Sequence, residues 1–187
     1  MLIATQDPTP HLILGGARSG KSTYAETLIL SFPPPYIYIA TAQALDEEMQ
    51  DRIRLHRLRR KSCWETIESP VNLTDNLRDL QGRNTPVLVD CLTLWLSNLL
   101  STSPAEASEG AVYDLCDFLE EVSYPLILVS NEVSGGIVPD NALARKFRDL
   151  AGFAHQRIAE HCKSVTLVVA GLPLALKRSH PIDREPQ

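Results

Sequence analysis

The stretch Gly15-Gly16-Ala17-Arg18-Ser19-Gly20-Lys21-Ser22 constrains this chain more than any other. It follows the apolar run Leu12-Ile13-Leu14 and leads into Thr23-Tyr24-Ala25-Glu26-Thr27-Leu28-Ile29, which reads as a helix. Gly15, four residues, then Gly20-Lys21-Ser22 is the spacing of a phosphate-binding loop, set between a strand and a helix as that motif requires. Glycines let the backbone curl so that several N–H groups point into one concavity, at a helix N-terminus whose partial positive charge favours an anion. Lys21 then reaches the β- and γ-phosphates, and the Ser22 hydroxyl is placed to ligate Mg2+. The bland alternative is a glycine-rich turn that binds nothing.

A strand–loop–helix unit of this kind belongs to an α/β sheet, and the rest of the chain supplies the other strands. His11 to Leu14 forms the first, and the helix after the loop runs to about Phe32, where Pro33-Pro34-Pro35 stops it. Tyr36 to Thr41 and Val87 to Asp90 are apolar, as is Pro125 to Ser130, and none alternates cleanly. Such runs suit parallel strands covered on both faces. Cys63 to Glu68 is a shorter strand, and Val165 to Ala170 is the last. Helices are expected over residues 43–61, 71–80, from Leu92 to about Leu100, over 111–122, and from Pro139-Asp140-Asn141 to about Cys162. Ser101 to Gly110 reads as a mobile loop. Alternating strands and helices imply a mostly parallel sheet with helices on both faces. The 187 residues suit one domain over 1–177, with 178–187 a disordered tail.

In such sheets ligands sit at the carboxyl ends of the strands. That rule gathers the loop after Leu14, Thr41, Asp90 and Asn131-Glu132. Asp90 is placed to hold Mg2+ together with Ser22, or merely to cap the following helix. Glu65, Glu68 and Glu132 read as ordinary surface carboxylates, Glu132 standing out slightly because it follows a buried strand. Trp64 and Trp95 read as core.

The segment from Arg52 to Lys61 is unusual in another way. It holds six of the chain's 18 Lys and Arg residues, although the formal net charge is −5. Pairing of Glu48 with Arg52 and of Asp51 with Arg54 accounts for only part of it. A solvated helix face is one explanation; a fork of guanidiniums clamping phosphates is the other. His56 stands among these cations, which bias its imidazole toward the neutral, nucleophilic form. On spacing alone it is either an ordinary histidine or a nucleophile toward phosphorus.

The acidic balance argues against general nucleic-acid binding, and no run approaches the length of a membrane span. Cys63, Cys91, Cys116 and Cys162 have neither disulfide nor metal spacing, and no signal peptide is legible at the N-terminus. A cytoplasmic protein is the expectation.

Beyond these single features, several segments together resemble the bifunctional adenosylcobinamide kinase/adenosylcobinamide-phosphate guanylyltransferase family of cobalamin biosynthesis. They are GGARSGKS (15–22), YIATAQALDEEMQDRI with His56 (38–56), LVDCLTLWLSNLL (88–100), SNEVSGGIVPDNALARKFRDLAG (130–152) and AGLPLALK (170–177). The resemblance spans nearly the whole chain. It implies a RecA-like phosphate-loop fold, assembly as a homotrimer, and two reactions. ATP or GTP phosphorylates adenosylcobinamide; GTP then gives GMP to the enzyme, which passes it to the phosphate product to yield adenosylcobinamide-GDP and pyrophosphate. By the same resemblance His56 carries the guanylyl group, and Arg57, Leu58, Arg59 and Arg60 lie against the nucleotide. Ile39, Ala40, Thr41, Glu68 and Asp90 join them at that site. The chain departs from the family at its three consecutive prolines and around Ser101–Gly110. Two other readings compete: a monofunctional phosphate-loop small-molecule kinase, and a non-catalytic nucleotide-binding switch. Neither needs the Arg-flanked His56.

Overall fold

The computed structural model describes residues 8–42 and 63–178. Seven strands form one sheet: β1 (His11–Gly15), β2 (Tyr36–Ala40), β3 (Trp64–Glu68), β4 (Val87–Asp90), β5 (Leu126–Asn131), β6 (Ser164–Val169) and β7 (Leu172–Arg178). Their spatial order is β3-β2-β4-β5-β1-β6-β7. All neighbours are parallel except β6 and β7. The described helices are α1 (Lys21–Ile29), α2 (Leu73–Arg78), α3 (Leu92–Thr102), α4 (Ala105–Glu121) and α5 (Ala142–His161).

The apolar strands divide their side chains between two cores, one on each face, because successive residues of a strand point to opposite sides. Leu12, Leu14, Ile37, Ile39, Val87, Val89, Leu126 and Leu128 face one way. They pack with Trp95 and Leu96 of α3, Leu115 and Leu119 of α4, and Leu150, Ala154 and Ile158 of α5. Ile13, Tyr36, Tyr38, Leu88, Ile127 and Val129 face the other way, against Ala25 and Ile29 of α1. The mostly parallel sheet covered on both faces is therefore as expected, and Trp95 is core, with its indole N–H donating to the Val71 carbonyl at 2.8 Å. Trp64 is half-buried and stacks on Tyr36, ring centroids 5.0 Å apart. All four cysteines are free thiols.

Three expectations need correction. Ser101–Gly110 is helical for most of its length: α3 continues to Thr102, and α4 begins at Ala105. Pro104 precedes α4 and breaks the chain between the two helices, while Ala-Glu-Ala-Ser-Glu has ample helix propensity. Ser108, polar but fully buried, donates its hydroxyl to the Pro104 carbonyl at 3.3 Å. The second correction is at the C-terminal end, where β6 is followed by another strand. Ala170 and Gly171, at φ 52° and 79°, make a two-residue hairpin turn, and β7 returns antiparallel from Leu172 to Arg178. Pro173 is tolerated because β7 is an edge strand. The third is the end of α1, at Ile29 rather than near Phe32. The amides of Ser31 and Phe32 bond back three residues to Leu28 and Ile29, tightening the last turn. The expected helix over 43–61 and residues 179–187 of the expected tail lie outside the described residues, while Arg178, the first residue of that tail, ends β7 instead.

Candidate functional site

The phosphate loop leaves the sheet at Gly15, the last residue of β1, and enters α1 at Lys21. Gly15 is confined from below: a Cβ there would stand 2.7 Å from the Val168 carbonyl of β6 and closer still to the Ser19 hydroxyl. Gly20 holds φ at 95°, which an L side chain resists, and a Cβ would come within 3.1 Å of Gly171 Cα. The loop closes on itself through the Ser19 amide, which donates to the Gly16 carbonyl at 3.2 Å. It is also tied to the β6–β7 turn, because the Gly171 amide donates to the Ser19 carbonyl at 2.8 Å.

Gly16, Ala17 and Arg18 are exposed, Arg18 with φ 56°. Lys21 is buried, its ammonium donating to the Gly16 carbonyl at 3.3 Å across the mouth of the loop. Ser22 follows in the first turn of α1, where amides lack intrahelical partners. Loop, lysine and helix N-terminus thus stand together at the carboxyl end of β1.

Beyond β1 the carboxyl edge carries the other expected residues. Strand register sets Ala40 directly between Glu68 of β3 and Asp90 of β4. Both carboxylates and the second-strand terminus thus share one line across the sheet. Ile39 lies one residue deeper, fully buried in the core, so only its main chain can meet a ligand. Thr41 is also buried. Its hydroxyl donates to the Cys91 carbonyl at 2.7 Å and accepts from the Cys91 amide at 2.9 Å, while Asn98 donates to the Thr41 carbonyl at 2.9 Å. Thr41 therefore fixes the end of β2 against the turn after Asp90. Burial and the neighbouring Asp90 push the Cys91 thiol up, which disfavours its thiolate form.

The stitching continues to β5. Thr93 contacts the Cys91 sulfur at 3.1 Å and accepts from the Asn131 side chain at 2.9 Å. Glu132 comes next, its amide donating to the Gly15 carbonyl at 3.0 Å. Its carboxylate accepts from the Ser134 amide at 2.6 Å and from the Ser134 hydroxyl, and stands 3.8 Å from His155 Nδ1. His155 Nε2 is 2.7 Å from the Ser130 hydroxyl. Burial alone would raise the Glu132 pKa, but the Ser134 hydrogen bonds and His155 outweigh it and hold the carboxyl below its usual range. Burial pushes His155 down, against the pull of Glu132.

Thr93, Ser130 and His155 are not singled out by the sequence, whereas Glu132 stands out there slightly for following a buried strand. The available signal was a histidine inside the buried stripe Leu150, Ala151, Ala154, Ile158 of α5. His56, Arg57, Leu58, Arg59 and Arg60 lie outside the described residues. No helix among the described residues is long and apolar enough to cross a membrane.

A sequence profile described as cobinamide kinase / cobinamide phosphate guanyltransferase matches residues 11–176. The chain is 49% identical over 166 residues to the bifunctional adenosylcobalamin biosynthesis protein CobP of Pseudomonas aeruginosa, covering 89% of this chain and 96% of that one. It is 39% identical over 179 residues to the corresponding protein CobU of Salmonella typhimurium, covering 89% of this chain and 98% of the relative. Among solved structures, a prototypical ATPase from a bacterial type III secretion system superposes with TM-score 0.51 at 12% identity, over 88% of this chain and 56% of that one. That likeness concerns the fold.

Proposed function

This chain belongs to the cobinamide kinase / cobinamide phosphate guanyltransferase family, and on that footing we propose that one triphosphate cradle serves both reactions. It is an enzyme of adenosylcobalamin biosynthesis with kinase and guanylyltransferase activities. In the first reaction ATP or GTP phosphorylates the alcohol of adenosylcobinamide. In the second, His56 attacks the α-phosphorus of GTP, pyrophosphate leaves, and the guanylyl group passes to the adenosylcobinamide phosphate. The covalent stage splits one displacement into two easier ones.

The observation that carries this reading is the geometry of the carboxyl edge. A closed phosphate loop with a buried Lys21 stands there beside the line Glu68, Ala40, Asp90. Residues Gly15 to Ser22 hold the phosphates, with Lys21 offsetting charge on the β- and γ-oxygens. Ile39 and Ala40 offer backbone groups and Thr41 keeps that strand end in place; Glu68 and Asp90 contact the nucleotide, and Arg57, Leu58, Arg59 and Arg60 flank His56. The hydroxyl of Ser22 and the carboxylate of Asp90 are hard oxygen donors and few in number. That suits Mg2+, which keeps most of its coordination for water and phosphates. When bound, the ion would neutralise charge on the transferring phosphoryl group.

One domain over residues 1–177 accounts for both activities. Homotrimeric assembly in the cytoplasm completes the proposal, supported by the family resemblance and, for assembly, by the exposed apolar edge at β7 (Leu172 73%, Leu174 57% exposed).

The test is direct. GTP labelled at the α-phosphate should leave label on the protein that is lost in acid and kept in alkali, as a phosphoramidate is. His56→Ala should take up none, and Lys21→Ala should lose the kinase reaction by about 100-fold or more. Equal labelling of wild type and His56→Ala would remove His56 from this role.

A further inference from the structure

Kinase chemistry on an alcohol poses a problem that the nucleotide cradle does not solve. The attacking oxygen carries a proton, and something must accept it. Glu132 is placed for that task. It directly follows β5, the strand between the phosphate-loop strand and the Asp90 strand. Its amide is bonded to the Gly15 carbonyl, and the Lys21 ammonium to the next carbonyl, Gly16. The Glu132 main chain and the Lys21 ammonium are thus anchored on consecutive carbonyls of the loop. Among the described residues no ion pair joins the two side chains; the Glu132 carboxylate meets Ser134 and His155 instead.

The manner of that anchoring exceeds what a surface carboxylate needs. Oε1 is held by the Ser134 amide and hydroxyl, and Oε2 faces His155, whose far nitrogen is held by buried Ser130. Both oxygens are therefore aimed, yet the side chain stays about a third exposed, at 32%. Burial keeps His155 neutral near pH 7. In the tautomer that carries Nδ1–H on the side of Glu132, Nε2 is free to accept from the Ser130 hydroxyl, an arrangement that favours the ionised carboxylate. Glu132 is an ionised acceptor with an open side.

We propose that Glu132 is the general base of the kinase reaction, with His155 and Ser130 as positioning residues behind it. This rests on the kinase reading above. As the alcohol oxygen forms its bond to the γ-phosphorus, the bond from that phosphorus to the bridging oxygen of the β-phosphate breaks. The electron pair leaves with the nucleoside diphosphate, the alcohol proton passes to the Glu132 carboxylate, and solvent takes it from the exposed side. The guanylyl transfer has no such requirement. Its nucleophiles are the imidazole of His56 and a phosphate monoester already ionised near pH 7, whose second pKa is about 6. Glu132 therefore serves one reaction of the two.

That asymmetry supplies the experiment. Glu132→Gln is prepared in the full chain and tested in three assays: phosphoryl transfer from γ-labelled ATP to adenosylcobinamide, protein labelling from α-labelled GTP, and GMP transfer to pre-formed adenosylcobinamide phosphate. The kinase kcat should fall by about 100-fold or more, the ordinary contribution of a general base. Labelling and GMP transfer should stay within about twofold, which also reports an intact fold. Wild-type kinase kcat/KM should be flat from about pH 6 to 8 because the base is already ionised, whereas the residual rate of the variant should climb with pH as hydroxide substitutes for it. A Gln variant keeping its kinase within about threefold, or losing all activities together with no change in pH profile, would overturn the assignment. A wild type that neither phosphorylates the corrinoid nor takes up label would overturn the reading beneath it, and this assignment with it.

Discussion

A neutral imidazole on the buried face of α5 makes folding answer to acid. The His155 pKa lies below 6.5 in the folded state because burial disfavours the imidazolium, while the unfolded chain protonates normally. Below about pH 6.5 the unfolded state binds the extra proton, so stability falls as pH drops through that value and goes on falling to the folded pKa. Glu132 acts in a lower window. Its carboxyl is held below 4.5, so its contribution is present above that pH and is lost only as pH falls through the folded value. A thermal melt moved from pH 7.5 to 5.5 should therefore lose stability through His155. Each 1 kcal/mol lost lowers Tm by about 2–4 °C in a chain of this size. His155→Gln should flatten that slope; an unchanged slope would place the acid sensitivity elsewhere. At this scale the phosphate loop was readable because glycine, lysine and serine have few other reasons to stand at that spacing. His155 was not, because its meaning comes from Ser130 and Glu132, which approach it only once α5 is laid against β5.

Among the elements, α5 shows how a local signal sets a boundary. The Asn141 side-chain oxygen Oδ1 accepts from the amides of Leu143 at 2.8 Å and Ala144 at 3.2 Å, satisfying two donors that the helix itself cannot. Asn141→Ala should cost about 1 kcal/mol in a denaturation experiment, and Asn141→Asp should restore most of it. A neutral Ala substitution would mean that the α5 start is held by packing. The same logic separates the elements that were legible from those that were not. β1, β2, β4 and β5 are short apolar blocks bounded by glycine, proline or a carboxylate, so composition and position agree. Ser101–Gly110 misled because a run rich in serine, alanine and glutamate reads as a loop, while Val112, Leu115 and Leu119 pull the whole of α4 onto the sheet. β7 was missed because its proline argues against a strand, and only its place at the edge makes that proline harmless. The register of β2, β3 and β4, which aligns Glu68, Ala40 and Asp90, is a property of pairing and could not be read from any one strand.

For the whole molecule the unsettled boundary is that edge. Leu172 and Val169 are cross-strand partners, as are Leu174 and Leu167, and Val169, Leu172 and Leu174 are exposed. Bare apolar edge strands invite another chain. With the proposed trimer seated there, Leu174→Lys should shift the protein toward monomer in light scattering at micromolar concentration; an unchanged mass would put the subunit contact on another face. The turn that starts this edge strand is also the one whose Gly171 amide holds the Ser19 carbonyl, so the border of the sheet and the floor of the phosphate loop are a single hydrogen bond apart. A neighbour gripping the hairpin would steady the loop, and a chain without one would lose that support. Turnover per molecule should therefore depend on how crowded the solution is, and dilution alone would make the same polypeptide a poorer catalyst.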